Sequence, residues 1–280
     1  MQLDIDHLKS WIGREDTAEE DLTPALVARF NATLDRTGPT ERGAEAPQLV
    51  HLCLCQPAVP TAELGPDGHP ARGGFLPPVP LPRRMWAGGE MEFHAPLRIG
   101  ETITRRSVID DVAIKEGRSG TLCFVTVRHS IESGGRLALT ERQDIVYRDA
   151  ATGTPAPSKP ATDGGPVAEH SRPVTATAPL LFRYSALTFN SHRIHYDAPY
   201  CEEEEHYPDL VIHGPLQATM LCHYAADLRG SLPRRFRFRS LAPVFGPGTL
   251  TLNATDEGAA LKLWTAQAGV PVSMEATADW

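Results

Sequence analysis

The stretch "ALTFNSHRIHYDAPY" (186–200), followed by "VIHGPLQATMLCHYAADL" (211–228), sets a polar cluster in front of one apolar helix. Asn190, His192, Arg193, His195 and Asp197 stand among apolar residues in the first segment. In the second, Gly214-Pro215 marks a helix start, because a proline in the first turn lacks only an N–H that would go unpaired there anyway. Leu216, Met220, Tyr224 and Leu228 then recur at helical spacing until Gly230 ends the pattern. Proton-handling side chains are thereby brought next to unsatisfied backbone N–H groups and the positive end of a helix dipole.

Outward from this segment the pattern becomes strand-like. "TLCFVTVRHSIE" (121–132) and "ALTERQDIVYR" (138–148) flank Gly134-Gly135 as a long hairpin, and "TLTLNATDEGAALKLWTAQ" (249–267) and "VSMEATADW" (272–280) add similar strands near the C-terminus. In the first half, Thr23 caps and Pro24 opens "TPALVARFNATL" (23–34), with Leu26, Ala28, Phe30 and Leu34 available for a buried stripe. Each half thus reads as a helix followed by strands. Ala95-Pro96 precedes Thr102-Ile103-Thr104 at the same spacing as Ala242-Pro243 precedes Thr249-Leu250-Thr251. A fold duplicated in tandem is the simplest reading, an α+β protein with an antiparallel sheet around a helix in each half. The Pro/Gly/Ala-rich stretch 149–169 reads as the linker between a unit at 1–148 and a unit at 170–280. A second irregular region, 56–89, is proline-rich, and loops of that length tend to be functional or disordered.

Composition narrows the class. With 41% apolar and 22% charged residues the 280-residue chain is that of a soluble globular protein, and its net charge of −8 argues against a nucleic-acid binder. Five cysteines form no CxxC pair and leave an odd one, which fits reduced thiols in a cytosol-like compartment. No apolar run approaches membrane-spanning length and the acidic N-terminus carries no signal-type segment, so a cytoplasmic location without membrane contact is expected.

"ALTFNSHRIHYD" followed by "YPDLVIHGPLQATML" (207–221) resembles the hydratase-2, MaoC-like enoyl-thioester hydratases and dehydratases. The match is to the branch with type 2 hydroxyacyl-thioester dehydratases and itaconyl-CoA and mesaconyl-C4-CoA hydratases. "LPRRMWAGGEMEF" (81–93) joins the first half to it as a degenerate repeat. The resemblance implies a tandem, or double, hot-dog fold with the catalytic repeat second. It also implies reversible hydration of an enoyl-CoA, with itaconyl-CoA or mesaconyl-C4-CoA giving citramalyl-CoA as the favoured reaction. Position 195 holds the family's histidine, whereas position 190 holds Asn where Asp is commoner.

In the implied chemistry neutral His195 takes a proton from water and returns it to the α-carbon, Asn190 holds the water through its amide oxygen, and the helix start at Gly214 stabilises the enolate oxygen. Without the resemblance, His192 and His195 read first as a strand-end pair satisfying nearby carbonyls. His213 lines the pocket or packs; Arg84 and Trp86 are placed for an adenine or carboxylate contact; Arg235 and Arg237, with Arg239, form one face of a strand that is either solvated or binds CoA phosphates. His192, His195 and Asp197 lack a further ligand pair at a recognised spacing, so no metal and no cofactor are expected, and Asp197 reads as fixing a loop. Dehydration in fatty-acid synthesis, thioester cleavage and acyl-CoA binding without turnover are the alternative functions. A CoA thioester is the expected partner, and both a monomer and a homodimer fit a tandem hot-dog.

Overall fold

The computed structural model describes residues 3–117, 120–149 and 165–280. Most of the expected linker, residues 150–164, lies outside the described residues.

Ten strands form one sheet. In chain order the first half contributes β1 (Glu15–Asp21), β2 (Arg83–Phe93), β3 (Thr102–Gly117), β4 (Gly120–Ser133) and β5 (Arg136–Arg148). The second half contributes β6 (His170–Ala176), a two-residue β7 (Leu210–Val211), β8 (Arg235–Ser240), a two-residue β9 (Phe245–Gly246), β10 (Gly248–Asp256), β11 (Ala260–Gln267) and β12 (Val270–Asp279). The spatial order is β1-β3-β4-β5-β2-β8-β12-β11-β10-β6, and β7 pairs with β9 apart from it. Read from the β2–β8 seam, the two sides run in matching order: β2 with β8, β5 with β12, β4 with β11, β3 with β10, β1 with β6. This is the expected double hot-dog.

The alternation that identified the strands also orients them. Along β4, Cys123, Val125, Val127, His129, Ile131 and Ser133 turn inward and are buried while their neighbours face out. Gly134 and Gly135 connect β4 to β5 with φ of +55° and +77°, the left-handed pair that a two-residue hairpin turn requires.

The helices are α1 (Ile5–Lys9), α2 (Pro24–Thr33), α3 (Ala178–Leu187), α4 (Ala198–Glu203) and α5 (Gly214–Arg229). In α5 every residue from Leu216 to Ala225 is buried, wider than the one-sided stripe in the sequence, because the helix is wrapped by β8, β10, β11 and β12. The first repeat differs. Its sheet face is covered by irregular chain, with Ala46, Val50, Cys53, Leu54 and Cys55 packed on Ile103, Ile131 and Leu139, and Val79 and Leu81 packed on Val112, Cys123 and Val125.

The helix at 23–34, expected as the counterpart of α5, is instead the counterpart of α3. Thr23 accepts from the Leu26 N–H at 3.1 Å and Thr177 from the Leu180 N–H at 3.2 Å. Asp21 pairs with Thr102 and Thr175 with Thr249, so each cap follows two residues after the strand pair that the sequence echo had matched. The two helices pack on each other, and α2 buries Val27, Phe30, Asn31 and Thr33, so that of the expected stripe Phe30 is buried, Leu26 and Leu34 are half-buried and Ala28 is exposed.

Beneath the first sheet lies a polar group. His51 Nε2 is 3.5 Å from Glu141 Oε2, both side chains almost fully buried, and Ser107 Oγ is 2.8 Å from His129 Nδ1 on the neighbouring strand. All five cysteines are unpaired and buried, and among the described residues no helix is long and apolar enough to cross a membrane.

Candidate active site

After α3 the chain leaves the helix through Phe189 (φ +47°), and Asn190 Oδ1 accepts the His192 N–H at 3.1 Å. That turn aims the chain into a short 3₁₀ segment, Arg193–His195, which the Arg193–Asp197 ion pair (2.8 Å) braces while Asp197 caps α4 through the Tyr200 N–H. Asp197 therefore fixes the loop, as the sequence indicated. The Asn190 oxygen assigned to water already bonds the backbone; its second lone pair and its NH₂ group remain.

His195 is buried, with Nδ1 2.7 Å from the carbonyl oxygen of Val211 in β7. A carbonyl only accepts, so Nδ1 carries the proton and Nε2 keeps its lone pair. Burial lowers the His195 pKa to about 4, with the bond to Val211 opposing it. His213 caps α5 and stacks flat on His195, ring centres 3.6 Å apart. Its Nε2 lies 2.8 Å from Ser185 Oγ, its Nδ1 is buried without a partner, and burial with the neighbouring His195 keeps its pKa well below the usual value.

The start of α5 thus abuts the His195 ring. A Cβ on Gly214 would meet Trp86, Ser240 Oγ and Met274 at 3.6, 3.7 and 3.9 Å, ordinary contacts, so protein neighbours alone do not require glycine there. Two hydrogen-bonding groups in this shell, Trp86 Nε1 and Ser240 Oγ, are buried and unpartnered. Unpaired buried hydrogen-bonding groups are rare in finished interiors, and both of these residues lie against the N-terminus of α5.

The first repeat adds residues that sequence reasoning missed. The loop 64–70, closed by a Leu64–Pro70 bridge, docks on the His192 segment. Arg193 donates its N–H to Asp67 O (2.9 Å) and its Nη1 to Pro66 O (3.0 Å), and Ser191 Oγ donates to Gly68 O. Asp67 Oδ1 accepts the His69 N–H (3.0 Å) and Oδ2 lies 2.9 Å from His69 Nδ1. The His69 ring sits 4.1 Å from His192, which meets His195 edge-on at 5.5 Å. Four imidazoles, 69, 192, 195 and 213, therefore form a row from the first repeat to α5. Asp67, His69 and His192 bring ligand-type atoms within 4.8 Å of one another, a spacing found in metal centres. Asp67 and His69 are, however, bonded directly to each other, through a proton that a metal would have to displace.

Arg84 is half-buried, its charge bears on His69 and His192, and it has no carboxylate partner among the described residues. Its neighbour Arg83 is committed to Glu205 at 3.0 Å. Arg235 and Arg237 lie on the outer, solvated face of the sheet, the first of the two readings the sequence left open. They project from the face of β8 opposite Phe236 and Phe238, which pack toward α5, and both pair with Asp279 (3.0 and 3.2 Å), as Arg239 does with Glu275. That row, three guanidiniums paired with two carboxylates, lies on the face of β8 turned away from α5. A cleft of about 810 Å³ between α2 and α3, lined by Arg29, Phe182, Arg183, Leu187 and Phe189, stops one residue short of Asn190, and none of the four histidines lines it.

Comparison with known proteins agrees with this architecture. Residues 48–246 match the family model described as hydroxyacyl-thioester dehydratase type 2. The chain is 44% identical over 251 residues, 89% of each chain, to mesaconyl-C(4)-CoA hydratase of Chloroflexus aurantiacus. It is 28% identical to the mitochondrial hydroxyacyl-thioester dehydratase type 2 of Schizosaccharomyces pombe, covering 76% of this chain and 78% of that one. The solved MaoC-like dehydratase of Phytophthora capsici superposes with a TM-score of 0.73 at 13% identity over 99% of this chain and 98% of that one, a likeness of fold. With its sheet order, its single wrapped helix and these relatives, the chain belongs to the hydroxyacyl-thioester dehydratase type 2 family of MaoC-like, double hot-dog hydro-lyases.

Proposed function

We propose that the protein reversibly hydrates a short, branched dicarboxylic enoyl-CoA, with mesaconyl-C4-CoA giving citramalyl-CoA as the leading reaction and itaconyl-CoA as the second substrate to test. The observation that carries the hydration chemistry is the fixed tautomer of His195: its Nδ1–H is spent on Val211, so a neutral Nε2 lone pair is available next to the N-terminus of α5. Water that adds to the β-carbon gives its proton to this nitrogen. The electron pair of the double bond moves toward the thioester oxygen, where the backbone N–H groups at the start of α5 supply donors.

Support for a dicarboxylic substrate comes from the relative at 44% identity and from Arg84. A free carboxylate on the carbon that water attacks would lie beside the base, and Arg84 is a cation near His192 without a carboxylate partner among the described residues. Conjugation favours mesaconyl-C4-CoA, because only a double bond conjugated to the thioester can pass its charge to that oxygen.

The test is a panel of mesaconyl-C4-, itaconyl- and crotonyl-CoA followed by loss of enoyl absorbance and by free-thiol release, before and after exhaustive chelation. Rapid loss of absorbance with mesaconyl-C4-CoA, no thiol and no effect of chelation are expected. Thiol release would mean thioester cleavage; preference for an uncharged, longer enoyl chain would favour the fatty-acid dehydratase reading; binding without turnover would leave an acyl-CoA binder.

A further inference from the structure

Hydration moves two protons at two atoms: one leaves water at the β-carbon and one arrives at the α-carbon. The segment 190–195 offers one titrating group suited to the first event, His195, since the Asn190 amide does not titrate and its oxygen already holds the His192 N–H. The loop from the other repeat brings the site its only Asp–His pair among the described residues, and it is built in firmly. Gly68, at φ +87°, lies so close to the Ser191 carbonyl that a Cβ there would stand 1.9 Å from its oxygen. Three hydrogen bonds clamp residues 66–68 to 191–193. Of the four imidazoles in the row, His69 alone bonds a carboxylate, at 2.9 Å through Nδ1. An extra proton in a row of close imidazoles is repelled by each neighbouring cation, so it rests where an anion faces it.

Resting on the hydratase reading above, we propose that His69, oriented by Asp67, is the site's second proton-transfer group, the acid that protonates the α-carbon during hydration. Water's oxygen bonds the β-carbon as His195 Nε2 takes its proton; the double-bond electrons pass to the α-carbon and thioester oxygen. The α-carbon then takes the Nε2 proton of the His69 imidazolium, whose Nδ1–H stays on Asp67. Transfer of the proton on His195 to His69, by way of His192 or solvent, restores the starting state, with one water consumed and no net proton gained. Dehydration runs the same steps backward.

Burial, with Arg84 and Arg72, outweighs the bond to Asp67 and holds the His69 pKa below its ordinary value, while His192 and His195, which lack a carboxylate partner, are lowered as well. Burial disfavours the Asp67 carboxylate too, and its bonds to His69 more than compensate, so Asp67 stays ionised.

The experiment is the pH dependence of kcat and KM for wild type, His69→Gln and Asp67→Asn on whichever enoyl-CoA the wild type hydrates, with folding checked by circular dichroism. The wild type should lose activity as pH rises and His69 deprotonates, and because the His69 pKa is lowered that fall should lie below the ordinary histidine value. His69→Gln should lower kcat on the order of 10²-fold with KM little changed and abolish that alkaline fall. Asp67→Asn should move the fall to lower pH with a smaller loss of kcat. A loss of activity that leaves the alkaline limb in place, or near-normal kcat in His69→Gln, overturns the proposal. If His69→Gln does not fold, the limb of Asp67→Asn decides alone. A wild type that hydrates no enoyl thioester overturns the hydratase reading and this one with it; normal wild-type turnover with unmoved limbs in the variants overturns only this one.

Discussion

His195 gains its proton only near pH 4 because burial disfavours the cation, with Val211 pulling the other way. Its folded pKa is depressed below the ordinary histidine value, so the base form persists as pH falls through 6.5 and is lost only as pH passes through about 4. The acid limb of kcat/KM should therefore fall near pH 4 to 5, and His195→Ala should lose about 10²-fold or more in kcat while remaining folded. An acid limb near 6.5 or a fully active alanine variant would remove His195 from the base role. Asn190→Asp keeps the acceptor for the His192 N–H and adds an anion to the histidine row. It should retain substantial activity with the acid limb shifted to higher pH, since a nearby negative charge favours the imidazolium; an unmoved limb would mean that position 190 does not sense His195. Asn190, His195, His213 and Gly214 were legible because one local stretch of chain carries them all. Asp67 and His69 were not, since Ser191 bonds Gly68 across 123 residues of sequence and nothing local in "PDGHP" announces that contact.

The element that decides the site's second wall is the 64–70 loop, and Gly68 is where it is most easily disturbed. Gly68→Ala would add a Cβ at 1.9 Å from a backbone oxygen and strain a left-handed φ, a cost of about 1–3 kcal/mol confined to the docked loop. The expected outcome is a fall in kcat with faster amide exchange in 64–70 and little change in the melting of the sheet; unchanged exchange there would show that the loop tolerates the methyl group. Among the elements, the β4–β5 hairpin and α5 could be read from local pattern because turn glycines and helix spacing are local signals. The partner of α2 could not: α2 and α3 share a Thr N-cap and a proline in the first turn (Pro24 and Pro179), but it is the strand register that relates them. Likewise, alternation placed Arg235 and Arg237 on one face of β8 without saying which face looked at α5.

At the scale of the whole molecule, the first repeat carries a buried carboxylate, Glu141, on strand β5. Burial works against the Glu141 anion, but His51 and then His129 and Gln143 overcome it and bring its pKa down to about 2. A depressed carboxylate stabilises the fold above its unfolded pKa, near 4.5, and that contribution is lost as pH falls from there through about 2. Glu141→Ala strips the ion from a buried pair and should destabilise the protein by roughly 3–5 kcal/mol, read as a lower denaturant midpoint at neutral pH. The difference from wild type should shrink in acid; a variant as stable as wild type at pH 7 would show that the pair contributes nothing net. The hydrogen-bonded seam between β2 and β8 joins both copies, carried on one polypeptide, into a single sheet. Two identical subunits must inherit every mutation twice, once at each of two equivalent sites. Within one polypeptide the twins can diverge: one gave up its helix for irregular chain while the other kept the histidines, and the surrendered half lends its loop to its sibling. Asymmetry of that kind is open to a fused pair and closed to a symmetric one.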